Sequence, residues 1–291
     1  MKFYFKDCPS ELTMIDYLNS QLSINPIDTL ADFKFYEFSL EELGLPSADK
    51  LLDATLNIEK KIGGVESWRE KNKDSENYKG FSLTHNPDFI DQRRSIFYQG
   101  LGAYELPQSF SKNLSKADFK QNKNSYYDSY SFNEIHTIIK QEYSQLIQSM
   151  HLPISRSRVV YFYSGQNSTA EYMPYHKDEY PFQLLRINIP LITTEEYKLE
   201  IFGTDEFGNS QNSEHHLKVG KAYVWNTRIP HRVYCNDISS EQKCRIHIVL
   251  GLIPWFNIGE DKDEGKFLEK NNFFGLPIKE IVEKKLFVSN K

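Results

Sequence analysis

Residues 182–192 read FQLLRINIPLI and residues 245–253 read RIHIVLGLI. Side chains on an extended chain leave alternately to opposite faces. In the first stretch Arg186 and Asn188 share one face, while Leu185, Ile187 and Ile189 share the other. In the second, Arg245, His247 and Val249 oppose Ile246, Ile248 and Leu250. Each stretch reads as a strand with one aliphatic face and one face that carries a guanidinium. If the aliphatic faces pack outward against helices, Arg186/Asn188 and Arg245/His247 line the interior of a barrel. A guanidinium pointing inward is costly unless an anion meets it, typically a carboxylate. The plainer alternative, which alternation always permits, is an arginine on the outside of the sheet.

The surroundings of these two stretches are of the same kind. From Pro153 onward come RVVYFYS (158–164), YKLEIFG (197–203), HHLKV (215–219), KAYVWN (221–226) and HRVYC (231–235). They are short, β-branched and aromatic, and turn signals such as DEFGNSQN, KVGKA and NDISSEQK separate them. Many short strands without intervening helices imply a closed or sandwiched antiparallel sheet, as in jelly rolls and cupins. The expected architecture is a mainly β core at 155–256 with flanking helices. A helical and irregular region, 1–154, precedes it, and a tail with a short helix, 257–291, follows.

Helical spacing is found on both sides of that core. SELTMIDYLNSQL (10–22) begins with a Ser that can cap it, and DKLLDATLNIEKKIGG (49–64) closes on a Gly pair. The polar stretch from Arg69 to Lys79 reads as a loop. Ser131 is placed to cap one amphipathic helix over 132–150, with Phe132, Ile135, Ile138, Ile139, Tyr143, Leu146, Ile147 and Met150 on one face. His136 on that helix needs no functional explanation. PIKEIVEKKLF (277–287) starts a last helix with Pro at its first position.

Composition excludes several classes. The formal net charge is −5 with no basic stripe, so a nucleic-acid partner is not expected. Arg156 and Arg158 in HLPISRSRVV form too short a cluster to count and read as a solvated strand entrance. Cys8, Cys235 and Cys244, three in all, cannot form a disulfide framework and read as thiols in a reducing compartment. No apolar run reaches the roughly 18 residues of a membrane span. A charge interrupts any apolar run in MKFYFKDCPSEL, so it does not read as a signal peptide, and a cytoplasmic location is expected.

Chemistry gathers at MPYHKDEYPF (173–182) and TRIPHRVY (227–234). His176 and Asp178 are two apart, so on an extended segment both side chains leave one face. His231 follows a Pro in a turn and opens a strand. Two imidazoles and a carboxylate on one side of a divalent metal leave its other positions open, the arrangement used by non-haem Fe(II) oxygenases. H-x-D alone is a weak signal, since such tripeptides recur by chance. The two arginines on apolar strands supply the second signal, an anion site beside the metal. Tyr163, Tyr175 and Trp225 are candidate aromatic walls of a pocket, and His247 faces the same side as Arg245. His215 and His216 are adjacent on a strand and face opposite ways, so they read as solvated. His85 and His151 read as structural.

From Tyr161 to Phe256, about a third of the chain, the sequence resembles the aspartyl/asparaginyl β-hydroxylase family and related bacterial amino-acid hydroxylases. The matching residues are H-K-D at 176–178, R-I-N-I-P-L at 186–191, V-G-K-A-Y-V-W-N at 219–226, P-H-R-V at 230–233 and R-I-H-I-V at 245–249. YKGFSLTHNPDF (78–89) resembles segments that precede the core in relatives. The resemblance implies a double-stranded β-helix that uses Fe(II), 2-oxoglutarate and O2 to hydroxylate an amino acid, free or within a peptide, with release of succinate and CO2. It implies that His176, Asp178 and His231 hold iron and that Arg245 holds the distal carboxylate of 2-oxoglutarate. Arg186 aligns with an arginine near the co-substrate, where its partner is either the oxoacid or a substrate carboxylate. Asn188 stands where the family often has a histidine. Two other readings compete: a cupin-type metalloenzyme without an oxoacid, and a non-catalytic small-molecule-binding barrel.

Overall fold

The computed structural model describes residues 4–5, 33, 35–67, 78–85, 133–164, 172–204, 207, 209–236, 243–261 and 265–289. Cys8, the candidate helix at 10–22, most of the polar stretch from Arg69, and Ser131 and Phe132 lie outside the described residues. The strands ahead of the core are β1 (Tyr4–Phe5), β2 (Tyr36–Ser39), β3 (Glu66–Ser67), β4 (Tyr78–Ser82), β5 (Thr84–His85) and β6 (Glu134–Ile135). The core strands are β7 (Ile154–Ser164), β8 (Tyr172–His176), β9 (Leu185–Ile192), β10 (Tyr197–Ile201), β11 (Ser213–His215), β12 (Lys221–Val224), β13 (His231–Cys235) and β14 (Lys243–Leu252). After them come β15 (Phe256–Asp261) and β16 (Gly265–Lys270). The described helices are α1 (Ala48–Ile62), α2 (Thr137–Glu142), α3 (Ser144–Gln148) and α4 (Ile278–Glu283).

Strand order defines the fold. One sheet runs β2-β12-β9-β14-β7-β4-β3 and a second runs β11-β10-β13-β8. From β7 to β14 the chain passes back and forth between them: β7, β9, β12 and β14 lie in the larger, β8, β10, β11 and β13 in the smaller. That winding of two antiparallel sheets is a double-stranded β-helix, a jelly roll. The sheets close on each other through Tyr197 of β10, whose hydroxyl donates to the Phe162 carbonyl of β7 at 3.1 Å. Apolar contact between Leu199 and Ile201 of β10 and Tyr223 of β12 adds to the closure.

Alternation sorts the larger sheet into two faces. Ile187 and Ile189 of β9, Ile246, Ile248 and Leu250 of β14, and Val159 of β7 are buried in one cluster with Leu51, Ala54 and Ile58 of α1 and Ile278, Ile281 and Val282 of α4. The helices thus cover the aliphatic face, and Arg186, Asn188, Arg245 and His247 are left facing the other sheet. α1 forms where expected: Ser47 caps it by accepting from the Lys50 N–H, and Gly63 ends it at φ 86°.

Three readings need correction. The helix expected over 132–150 is broken. Glu134–Ile135 form β6, and the rest divides at Tyr143, where φ is −103° and ψ 24°. Ile139, Tyr143, Leu146 and Met150 are still buried, so the apolar period was real. At the break the Tyr143 hydroxyl bonds to Thr55 of α1. Secondly, strands occur outside the core: β2 pairs with β12 and β4 with β7, and the tail forms the β15–β16 hairpin, which β1 joins in parallel. Tyr78 and Lys79, read as loop, belong to β4. Thirdly, Pro277 is the N-cap of α4 rather than its first residue. Among the described residues no helix is long and apolar enough to cross a membrane.

Candidate metal centre

Register brings the two histidines together. β8 and β13 are antiparallel neighbours, and His176 stands directly opposite His231. Their ring centroids are 4.4 Å apart. Asp178 does not continue β8. It lies just beyond the strand end, tied by its backbone N–H to the Thr227 carbonyl at 2.9 Å, in the turn that precedes His231. The expected face-sharing along one extended strand is therefore replaced by a turn that delivers the carboxylate. Ligand atoms of His176, Asp178 and His231 all lie within 4.8 Å of one another.

Both rings are oriented by their own backbone. His176 Nδ1 is 2.9 Å from the Pro174 carbonyl, and His231 Nδ1 is 2.9 Å from the Ile229 carbonyl. A carbonyl can only accept, so Nδ1 carries the proton and each Nε2 keeps its lone pair free. Burial and the neighbouring His176 push the His231 pKa down to about 4, against the opposing pull of Asp178. Burial acts to raise the Asp178 carboxyl, but Arg186, His176, Arg158 and His231 outweigh it and hold the group well below the usual carboxylate range. The carboxylate is ionised.

Arg186 is 4% exposed, on β9. Its Nη2 donates to Glu179 Oε2 at 2.5 Å, and its Nε lies 3.5 Å from Asp178 Oδ2. The expected solvated strand entrance at Arg156 and Arg158 is a correction: Arg156 is buried and ion-paired with Glu179. Arg158 is half-buried, with Tyr78 bonded to it; burial and then Arg186 lower its pKa.

Arg245 has different company. It is 8% exposed and has no carboxylate partner among the described residues. Its Nε–H donates to His247 Nε2 at 2.6 Å. Burial lowers its pKa to about 10, with Tyr78 and Tyr197 opposing, so the guanidinium stays charged at neutral pH. Burial and then Arg245 push His247 well below the ordinary value, which leaves the ring neutral and able to accept.

The remaining candidates divide. Asn188 is buried on the same face, opposite Val249 of β14 and Tyr223 of β12. Trp225 is buried edge-on to His231, centroids 5.7 Å apart, and its Nε1–H has no partner among the described residues. Tyr163 sits on the other face of β7, stacked on Tyr161, whose hydroxyl bonds to Glu59 of α1. It is not a pocket wall. Tyr175 is 40% exposed on the outside of the smaller sheet, where Arg232 covers its ring and its hydroxyl accepts from Asn212. Alternation along β8 explains this, since His176 points in. His215 is not simply solvated: it stacks on Phe35 at 3.9 Å. Cys235 and Cys244 lie on strands of different sheets, the first buried, where its sulfur accepts from Ser164 Oγ at 3.3 Å, and the second partly buried.

Sequence reasoning missed Glu179, Tyr78 and Tyr197. Glu179 adjoins a candidate ligand and was open to notice. The two tyrosines enter from strands whose place in the sheets no local pattern reveals.

No family model matches the chain and no curated protein matches it. Solved structures do. A prolyl-4-hydroxylase from Pseudomonas putida is 14% identical, over 78% of this chain and 96% of that one, with a TM-score of 0.36. A prolyl hydroxylase from Trichoplax adhaerens, solved with a hypoxia-inducible-factor peptide fragment, is 15% identical over 84% and 94%, TM-score 0.39. The alpha-ketoglutarate-dependent epimerase SnoN from nogalamycin biosynthesis is 12% identical over 75% and 77%, TM-score 0.39. Likeness at this level leaves the chemistry to be read from the site.

Proposed function

We propose that the chain is an Fe(II)- and 2-oxoglutarate-dependent oxygenase that hydroxylates an amino acid, free or within a peptide, and releases succinate and CO2. The observation that carries this is the buried guanidinium of Arg245, charged and without a carboxylate of its own among the described residues, inside the same barrel as two imidazoles and a carboxylate. A cation buried in that way calls for an anionic ligand. The order of the H-K-D, R-I-N-I-P-L, P-H-R-V and R-I-H-I-V segments supports a place among the aspartyl/asparaginyl β-hydroxylase-like enzymes, with 155–256 as the catalytic core.

The donor set fits Fe(II): two imidazole nitrogens and one carboxylate, three donors that would leave other coordination positions to further ligands. Fe(II), when bound, lets O2 oxidise 2-oxoglutarate to succinate and CO2, one oxygen atom entering succinate and the other the substrate C–H bond. His176 and His231 keep Nε2 available because Nδ1–H is held on a carbonyl. Asp178 supplies a negative charge and acts as a ligand, not as a base. Arg245 receives the distal carboxylate of the oxoacid, and neutral His247 holds its guanidinium in place. Asn188 is buried on the same sheet face as Arg186 and Trp225 stands beside His231, and the Nε1–H of Trp225, without a partner among the described residues, is a donor for a bound group. The acidic balance without a basic stripe and the odd number of cysteines, three, support a small-molecule or peptide partner in a reducing cytoplasm, rather than nucleic acid or membrane.

The test is anaerobic loading with Fe(II) and 2-oxoglutarate, then admission of oxygen with a panel of free amino acids and short peptides. Substrate-dependent succinate is the expected result. Unchanged 2-oxoglutarate affinity in Arg245→Ala would overturn the co-substrate assignment.

A further inference from the structure

Asp178 and Glu179 are consecutive carboxylates that share one guanidinium. Arg186 Nη2 bonds to Glu179 Oε2 at 2.5 Å, while its buried Nε, 3.5 Å from Asp178 Oδ2, has no hydrogen bond among the described residues. Glu179 is held from further directions. Its carboxylate pairs with Arg156 of β7, a residue at the left-handed φ of 44°, and its carbonyl accepts from Thr227 Oγ1 at 2.8 Å. The dipeptide is thus fixed by its backbone to the turn before β13 and by the Glu179 side chain to β7 and β9.

A guanidinium beside a carboxylate prefers to close on it with two parallel hydrogen bonds. Arg186 closed in that way on Asp178 would occupy the oxygens that a metal needs. Glu179 prevents this, because it engages Nη2 and leaves only Nε facing Asp178. We propose that Glu179 is a positioning residue for the metal ligand. It diverts the Arg186 fork, so that Arg186 steadies Asp178 without competing for it. The inference rests on the metal-binding reading above. It also assigns the anion partner of Arg186 within the chain, rather than to the co-substrate or substrate.

Anaerobic titration of the apo protein with Co(II), followed by its visible absorption, tests this without turnover. Glu179→Gln is expected to weaken Co(II) binding by about 10–100-fold, the usual cost of losing a group that orients a ligand. Glu179→Gln combined with Arg186→Gln is expected to recover most of that loss, because the competing fork is gone. Glu179→Asp, which keeps the charge on a shorter arm, should fall between wild type and Glu179→Gln, so the question is answered even if the Gln variant does not fold. Wild-type affinity in Glu179→Asp and Glu179→Gln overturns the proposal. So does a double variant that binds no better than a folded Glu179→Gln. If wild type binds no Co(II), or Asp178→Ala binds it equally well, the metal reading itself falls.

Discussion

Arg245 sets its guanidinium against the ring of His247, with Nε 2.6 Å from Nε2 and Nη2 2.9 Å from Nδ1. The two residues are neighbours along one face of β14, and the neutral ring offers a lone pair but no negative charge. The guanidinium is held in position and remains electrostatically unsatisfied, as suits a site for an anion. Replacing Arg245 with Met should therefore weaken 2-oxoglutarate binding by about 10–100-fold, from the loss of charge-assisted hydrogen bonds worth about 1.5–3 kcal/mol. Co(II) affinity should not change. The melting temperature of the apo chain should hold or rise, since an unpaired buried charge is removed. Calorimetric titration and thermal melts check the three statements, and a large fall in apo stability would show that Arg245 is structural.

His247 also gives the fold an acid sensitivity. Its folded pKa lies well below the ordinary value near 6.5, driven by burial and then by Arg245 and His216. Between the two values the unfolded chain binds the extra proton and the folded chain does not. Stability is thus complete above about pH 6.5 and declines as pH falls below it, by at most about 1.4 kcal/mol per pH unit for one group. Denaturant unfolding at pH 7.5, 6 and 5 should show the decline in the apo chain. The slope should be shallower, by about one proton, in His247→Phe.

How far the sequence reaches can be seen along β9 and β14. The alternation of Arg186/Asn188 and Arg245/His247 against isoleucines depends only on the two-residue period of a strand, so the assignment of faces survives in the structure. The H-x-D histidine and His231 could be chosen for their residue types, but their meeting depends on the β8–β13 register, which is a long-range property. Aromatic character suggests Tyr163 and Tyr175 as pocket walls, but strand parity puts Tyr163 on the face of Tyr161 and Tyr175 on the face opposite His176. The break at Tyr143 has no local signal, and the residue that Tyr143 bonds there, Thr55, is 88 residues away in sequence. The partners of Arg186 were also hidden. A buried arginine implies an anion, but the sequence does not say whether the protein or a ligand supplies it.

Ile248 is next to His247, fully buried, on the face covered by helices. Ile248→Ala should cost about 2–5 kcal/mol through lost burial and a residual cavity. Co(II) affinity measured below the melting transition should stay at the wild-type value. Tyr175→Phe, on the outer surface, should change neither stability by more than about 0.5 kcal/mol nor turnover. A drop in turnover for Tyr175→Phe would return that residue to the pocket.

Gly251 sits where β14 crosses between two partners, opposite Ser155 of β7 and Arg186 of β9, beside a register shift after Val249. A Cβ placed there would lie 2.3 Å from the Ser155 carbonyl oxygen and 3.1 Å from both methyls of Leu184. The leucine can yield but the carbonyl cannot, because it belongs to the paired backbone. Gly251→Ala should therefore force β7 and β14 apart and destabilise the chain by about 1–3 kcal/mol. Since β9 lies on the other side of β14, the displacement should also reach Arg186 and, through it, Asp178. Co(II) affinity should fall in Gly251→Ala but hold in Ile248→Ala, although both lose stability. Equal Co(II) affinity in the two variants would mean that the β14 backbone does not set the position of Arg186.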